Sequence, residues 1–254
     1  MIREDTLNGA YKIETDKFNL LQYIYQEENM YKYILFDLDG TITDSSKGII
    51  NCVKYALDAA GVEVPAADRL FEFIGPPLTE GFMTITEMNR REAEISTAKF
   101  RERYNVTGLF ENEPYEGIRE VLETLSERGF IMAVATSKPE ETAVRVLEHF
   151  NLAKFFREIT GSSFDGSRDT KQKVIEETLK RLKIFEGQKE NVLMVGDRKH
   201  DVYGAHACGI KVLGVYYGFA KSRELEEAGA DYIVQNVSDI VNLEELNLSL
   251  NEHN

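Results

Sequence analysis

Two aspartates, Asp37 and Asp39, end an apolar and aromatic run in YKYILFDLDGT. In an extended chain, residues two apart point to the same side, so the two carboxylates converge just past the strand. Like charges that close repel, and a bound Mg²⁺ is the ordinary remedy. Gly40 permits a turn with positive φ, and Thr41 follows it. Read alone, DxDGT also fits a loop or a helix-cap signature.

Three further groups bear on that choice. Thr136 and Ser137 follow the apolar run IMAVA, Lys171 lies at the start of the helix after REITGS, and Asp197 and Asp201 stand in GDRKHD after NVLMV. Each has a plain structural reading: Ser137 as a helix cap, Lys171 as a solvated helix charge, Asp197 and Asp201 as cap and first-turn residues that complement a helix dipole. All of them nevertheless fall at the carboxyl ends of successive expected strands, the edge that forms the ligand crevice of an open α/β sheet. Nucleophile, hydroxyl donors, cation and metal carboxylate appear in sequence order, with matched roles in a phosphate site.

The elements that must position these groups are legible as hydrophobic patterns. Strands are expected at YKYILFDLDG, FIMAVAT, REITGS, NVLMVGD, KVLGVYY and DYIVQ, with helices between them. That alternation implies a parallel sheet covered on both faces. The expected fold is α/β, a doubly wound, Rossmann-like core at 31–47 and 114–246 interrupted by a helical insert at 48–113. In the insert, Ile49, Ile50, Val53, Ala56, Leu57 and Ala60 keep helical spacing, with Ser45 or Ser46 as cap and Gly61 as terminator. Phe73, Pro76, Pro77 and Leu78 form an apolar turn with two readings, packing between insert and core first and a wall of the site second. Arg101 and Arg103 read as solvated charges. Residues 1–30 read as an extension in which Phe18, Leu21, Ile24 and Tyr25 suit a short amphipathic helix, with Met30 as a candidate internal start; 247–254 reads as a tail.

Composition excludes several classes. A formal charge of -14 argues against a broad electropositive track for a nucleic-acid polymer, so an anion must be gripped locally. The sequence contains no apolar run long enough to cross a bilayer, and its first residues lack a secretory apolar stretch. Cys52 and Cys208 stand far apart within apolar helical patterns, and the four histidines form no metal-ligand pattern. A soluble protein of the reducing cytoplasm is expected.

With FDLDGT, ATSK, Lys171 and GDRKHD in place, the chain from Tyr31 to about Asn236 resembles the haloacid dehalogenase superfamily phosphatases, in the branch of phosphoglycolate phosphatases and 5′-nucleotidase-like enzymes. The resemblance implies that the insert is a helical cap. It implies that Asp37 attacks phosphorus to form an aspartyl-phosphate, while Asp39 serves as acid and then base. It implies Mg²⁺ held by the Asp37 carboxylate, the Asp39 backbone carbonyl and the Asp197 carboxylate. Thr136, amides near Ser137 and Lys171 would bind the phosphate oxygens, and Asp201 would support Lys171 or a metal-bound water. The implied substrate is a small phosphorylated metabolite, phosphoglycolate or a nucleoside 5′-monophosphate first. A phosphosugar mutase is the alternative, and a pyrophosphatase or a non-catalytic binding protein ranks below it.

Overall fold

The short apolar runs that the sequence ends with acids or glycine become the strands of one parallel sheet. The computed structural model describes residues 31–75, 77–163 and 165–247, so the expected N-terminal helix, Pro76 and the residues beyond Asn247 lie outside it. Strand β1 (Tyr33–Phe36) leads to a two-residue strand, β2 (Thr43–Asp44), and then to helices α1 (Ser46–Ala60), α2 (Ala67–Phe71), α3 (Leu78–Ile85) and α4 (Arg90–Tyr104). The second two-residue strand, β3 (Glu113–Pro114), follows. Helix and strand then alternate: α5 (Ile118–Glu127), β4 (Ile131–Pro139), α6 (Glu140–His149), β5 (Phe156–Ser162), α7 (Lys171–Arg181), β6 (Val192–Gly196), α8 (Lys199–Ala207), β7 (Lys211–Val215), α9 (Glu224–Ala228) and β8 (Tyr232–Val234).

The main sheet has the order β5-β4-β1-β6-β7-β8, with every neighbour parallel. Helices cover both faces, which is why β1 reads as continuously apolar. Ile34 and Phe36 feed one apolar cluster and Leu35 the cluster on the opposite face. The chain leaves β1 toward β4 and β5 on one side and returns toward β6, β7 and β8 on the other. This reversal opens a crevice at the carboxyl end of β1, between β4 and β6.

Two details differ from the sequence reading. Ser45 takes the N-cap position of α1 but accepts no bond from the helix; Asp44 Oδ1 instead accepts from the Ser46 amide at 2.9 Å. Gly61 does end α1, at φ 67°. Strand β4 also does not stop at Thr136. After a register irregularity it runs on to Pro139, which pairs with Ser162, because a residue before proline is driven toward extended backbone. Short β2 and β3 pair antiparallel, Thr43 with Pro114 and Asp44 with Glu113, and so tie together the two chain crossings into and out of the helical segment.

Helix α4 owes its start to a capping box: Asn89 Oδ1 accepts from the Glu92 amide, and Glu92 Oε2 accepts from the Asn89 amide. Arg103 near its end is not a solvated charge. It grips Glu111 through both guanidinium nitrogens, at 2.6 and 2.9 Å, and its Nη1 lies 3.1 Å from Cys52 Sγ on α1. Among the described residues, no helix is long and apolar enough to cross a membrane.

Candidate active site

The strand ends bring together the acids that the sequence separates by up to 164 positions. Asp37 leaves β1 with its amide bonded to Val195 of β6 at 2.9 Å, which fixes the start of the turn. Gly40 then turns at φ 86°, a conformation that strains a residue with a side chain. Asp197, at the end of β6, is fully buried and accepts from the Phe219 amide at 2.7 Å. Carboxylate oxygens of Asp37, Asp197 and Asp201 all lie within 4.8 Å of one another.

Lys171, the first residue of α7, is held in the middle of this group. Its Nζ sits 2.9 Å from Asp37 Oδ1 and 2.7 Å from Asp201 Oδ1, and it donates to the Ala135 carbonyl at 3.1 Å. Burial works against its charge, but Asp201 and Asp37 outweigh burial and lift its pKa above the usual lysine value. Asp201 is held from its other oxygen by the Arg198 amide at 3.0 Å. Asp201 thus links the Lys171 ammonium to the backbone at Arg198.

Burial dominates the carboxylates. It pushes Asp37 up to about 6, with Lys171 pulling the other way. Burial, then the Asp201 and Asp37 charges, raises Asp197 well above the ordinary range. Asp197 Oδ1 is buried and has no hydrogen-bond partner among the described residues. A buried carboxylate oxygen without a donor, facing two more carboxylates, is the donor set of a hard divalent cation. Asp37, Asp197 and Asp201 fit such an ion. The Asp39 carboxylate is turned elsewhere, so any share Asp39 takes falls to its backbone carbonyl.

What claims Asp39 is Lys138, a residue that sequence reasoning passed over. Lys138 Nζ donates to both Asp39 oxygens, at 2.9 and 2.7 Å, and to the Tyr104 hydroxyl at 2.6 Å. Its side chain is only 4% exposed. In the sequence it looks like a linker between the hydroxyls and Pro139. A basic residue two places after Thr136, on the same side of an extended strand, was the available signal.

Thr136 is buried, Ser137 is exposed, and both line the crevice beside Asp37. The apolar turn packs inside the helical segment and also lines the site. Phe73 packs edge-on against Phe82 at 5.1 Å, while Phe73, Ile74 and Leu78 also face the hollow above Asp37. Arg198 ties this turn down: Nη1 donates to the Ile74 carbonyl at 2.8 Å and Nε to Glu224 at 2.8 Å. Tyr217, unassigned from sequence, donates to the Thr41 carbonyl at 2.8 Å and braces the turn after Asp39. The hollow has a volume of about 180 Å³ and adjoins a wider one of about 700 Å³, with Leu78, Phe100, Tyr104 and His200 in both walls.

Known proteins share the sequence and fold of this chain. Residues 34–215 match the family described as haloacid dehalogenase-like hydrolase. A 5′-nucleotidase from Pseudomonas aeruginosa is 44% identical over 196 residues, covering 77% of this chain and 87% of that protein. The tyrosine-protein kinase PtkA of Mycobacterium tuberculosis is 38% identical over 201 residues, covering 79% and 67%. The crystal structure of a predicted phosphatase from Clostridium acetobutylicum superposes with a TM-score of 0.78 at 41% identity, covering 84% of this chain and 97% of that one.

Proposed function

Because the chain belongs to the haloacid dehalogenase-like hydrolases and is a phosphatase of that family, we propose that it hydrolyses a small phosphomonoester with an uncharged leaving group, a nucleoside 5′-monophosphate ahead of phosphoglycolate. The reading rests on one observation: every cation lining the inner hollow already has an anionic partner. Lys171 is paired with Asp37 and Asp201, Lys138 with Asp39, and Arg198 with Glu224. Four carboxylates face two ammonium groups at the polar end, and a divalent cation would bring the set to neutrality. The opposite wall is apolar, with Ile49, Phe73, Leu78 and Phe100. That suits a flat, uncharged group, and the wider hollow gives it room.

In the proposed reaction an Asp37 oxygen attacks phosphorus in line. The ester P–O bond breaks with its electron pair going to the leaving oxygen, which takes a proton from Asp39. Asp39 then removes a proton from water, the water oxygen attacks phosphorus, and the bond to Asp37 breaks to free the carboxylate and inorganic phosphate. Lys171 and Thr136, with amides near Ser137, hold the transferring oxygens. Asp37, Asp197 and the Asp39 carbonyl would hold Mg²⁺, which would supply charge neutralisation there. The helical segment 48–113 serves as the cap that excludes water and faces the leaving group. Two buried free cysteines fit work in a reducing cytoplasm.

The test is phosphate release with Mg²⁺ over a panel of nucleoside monophosphates, sugar phosphates, phosphoglycolate and pyrophosphate, compared as kcat/KM. Nucleoside monophosphates should lead, and Asp37→Asn should abolish release. A lead for phosphoglycolate or pyrophosphate overturns the substrate assignment. Dependence on a bisphosphate primer, with phosphate returned to a sugar, points to a mutase.

A further inference from the structure

An ammonium group buried in protein needs a countercharge and a partner for each hydrogen. Lys138 has three N–H donors and three short contacts: both oxygens of Asp39 and the hydroxyl of Tyr104. Asp39 follows β1, Lys138 belongs to β4, and Tyr104 ends α4 of the helical segment. The chain of contacts therefore crosses from the sheet to the segment that covers it. Tyr104 is itself fixed, stacked on Phe100 at 5.1 Å and with its ring 5.1 Å from the Lys138 ammonium. The Lys138 amide in turn donates to Thr136 at 3.2 Å, so the backbone that carries the ammonium is anchored to the phosphate end of the site.

A carboxylate that must first give a proton to one oxygen and later take one from another needs a held orientation. Thermal rotation of Asp39 about its side-chain bonds would spoil both transfers. Two N–H bonds from a single ammonium hold the plane of the carboxylate but not the position of the ammonium. Tyr104 supplies that last constraint, and it can do so only when α4 lies against the sheet.

We propose that Lys138 is a positioning residue for Asp39, and that Tyr104 makes this positioning conditional on docking of the helical segment. The proton-transfer group is then in register only when the crevice is covered, and an uncovered site, open to water, keeps a misplaced Asp39. Lys138 does not contact the substrate in this scheme; it acts through Asp39. The inference rests on the phosphatase reading above, with Asp39 as acid and base.

The experiment compares wild type with Tyr104→Phe, Lys138→Arg, Lys138→Met and the double variant Tyr104→Phe/Lys138→Met. The substrate is 4-nitrophenyl phosphate with Mg²⁺, and the pre-steady-state burst of nitrophenol is recorded beside steady-state phosphate release. Nitrophenol leaves with little help from an acid, so the burst survives in every variant, whereas attack by water still needs an oriented base. The steady-state rate falls by about 10²-fold in Lys138→Met, the lower end for loss of general acid–base help. It falls by about fivefold to tenfold in Tyr104→Phe, the scale of one net hydrogen bond. KM falls in step with kcat, because kcat/KM reports the surviving first step; Lys138→Arg recovers part of the loss, and the double variant is no slower than Lys138→Met, as expected for residues acting as one unit.

Additive losses, or a raised KM with kcat retained, overturn the proposal and make Lys138 a substrate ligand or a packing residue. Should Lys138→Met fail to fold, Tyr104→Phe carries the test: wild-type kcat in that variant overturns the coupling. Asp37→Asn keeps the two readings apart. If Asp37→Asn turns over normally, the phosphatase mechanism has failed; if it is inert while Tyr104→Phe and Lys138→Met match wild type, only the positioning role has failed.

Discussion

A β-carbon placed on Gly40 would lie 2.1 Å from Oδ2 of Asp197. The turn after the first pair of acids and the acid delivered by β6 are thus built against each other, with no room between them for even a methyl group. Gly218 closes the same contact from a third direction, its added β-carbon falling 2.2 Å from the Gly40 carbonyl and 2.5 Å from the Asp197 β-carbon.

Gly40→Ala therefore meets both a positive φ and a clash with the cation-binding acid. It should lose phosphate release almost entirely and be destabilised by about 1–3 kcal/mol or more. Urea unfolding followed by circular dichroism, beside the activity assay, checks both; a fully active Gly40→Ala would mean that the turn can reopen.

Removing the divalent cation should expose the strain among the buried acids. Asp37 is raised from 3.8 to about 6, chiefly by burial, so its contribution to stability is fully present below about pH 4 and is lost as pH rises through about 6. In EDTA, wild type should lose stability relative to Asp37→Asn across that window. Mg²⁺ should remove most of the difference above pH 6, since it favours the ionised carboxylates and binds only the folded protein. Thermal melts at a series of pH values, with and without Mg²⁺, measure it; parallel curves for the two proteins would refute the assignment.

Arg198 reaches from the site to the Ile74 carbonyl and is neutralised by Glu224. Replacing it with Met frees the 73–75 turn over the inner hollow and leaves Glu224 with the Lys199 and Lys221 amides but without its cationic partner. KM for the best substrate should rise by about tenfold, the scale of a hydrogen bond to a charged group, with a smaller fall in kcat. Steady-state kinetics over a range of substrate concentrations reads the split.

Arg103 stands away from the acids and joins Glu111 to Cys52. Arg103→Met should lower stability by about 1–3 kcal/mol while leaving kcat/KM within about threefold. Denaturant unfolding with the activity assay separates this brace from a substrate contact, which would show the opposite pattern.

The strands and their terminal acids were legible because the physics is local. An apolar run ending in Asp or Gly reads directly as a buried strand with polar residues at its mouth, as in ILFDLD and VLMVGD. Lys138 was not legible because its meaning depends on Asp39, 99 positions away, and on Tyr104, 34 positions away. In TSKP the one signal is its place two residues after Thr136, and that alone does not tell a buried ammonium from an ordinary lysine before a helix. Arg103 misled for the same reason: a charged helix looks solvated until a carboxylate from beyond its end folds back onto it. The β2–β3 pair escaped notice because two residues are too few to display alternation.

That pair of strands has a wider consequence. Thr43–Asp44 and Glu113–Pro114 lie side by side, so the helical segment enters and leaves the sheet layer at one place. A segment whose ends are already clasped together can be lengthened, shortened or replaced without asking any strand of the main sheet to move. Selection can then rewrite the helical segment as a module without displacing the aspartates at the mouth of the sheet.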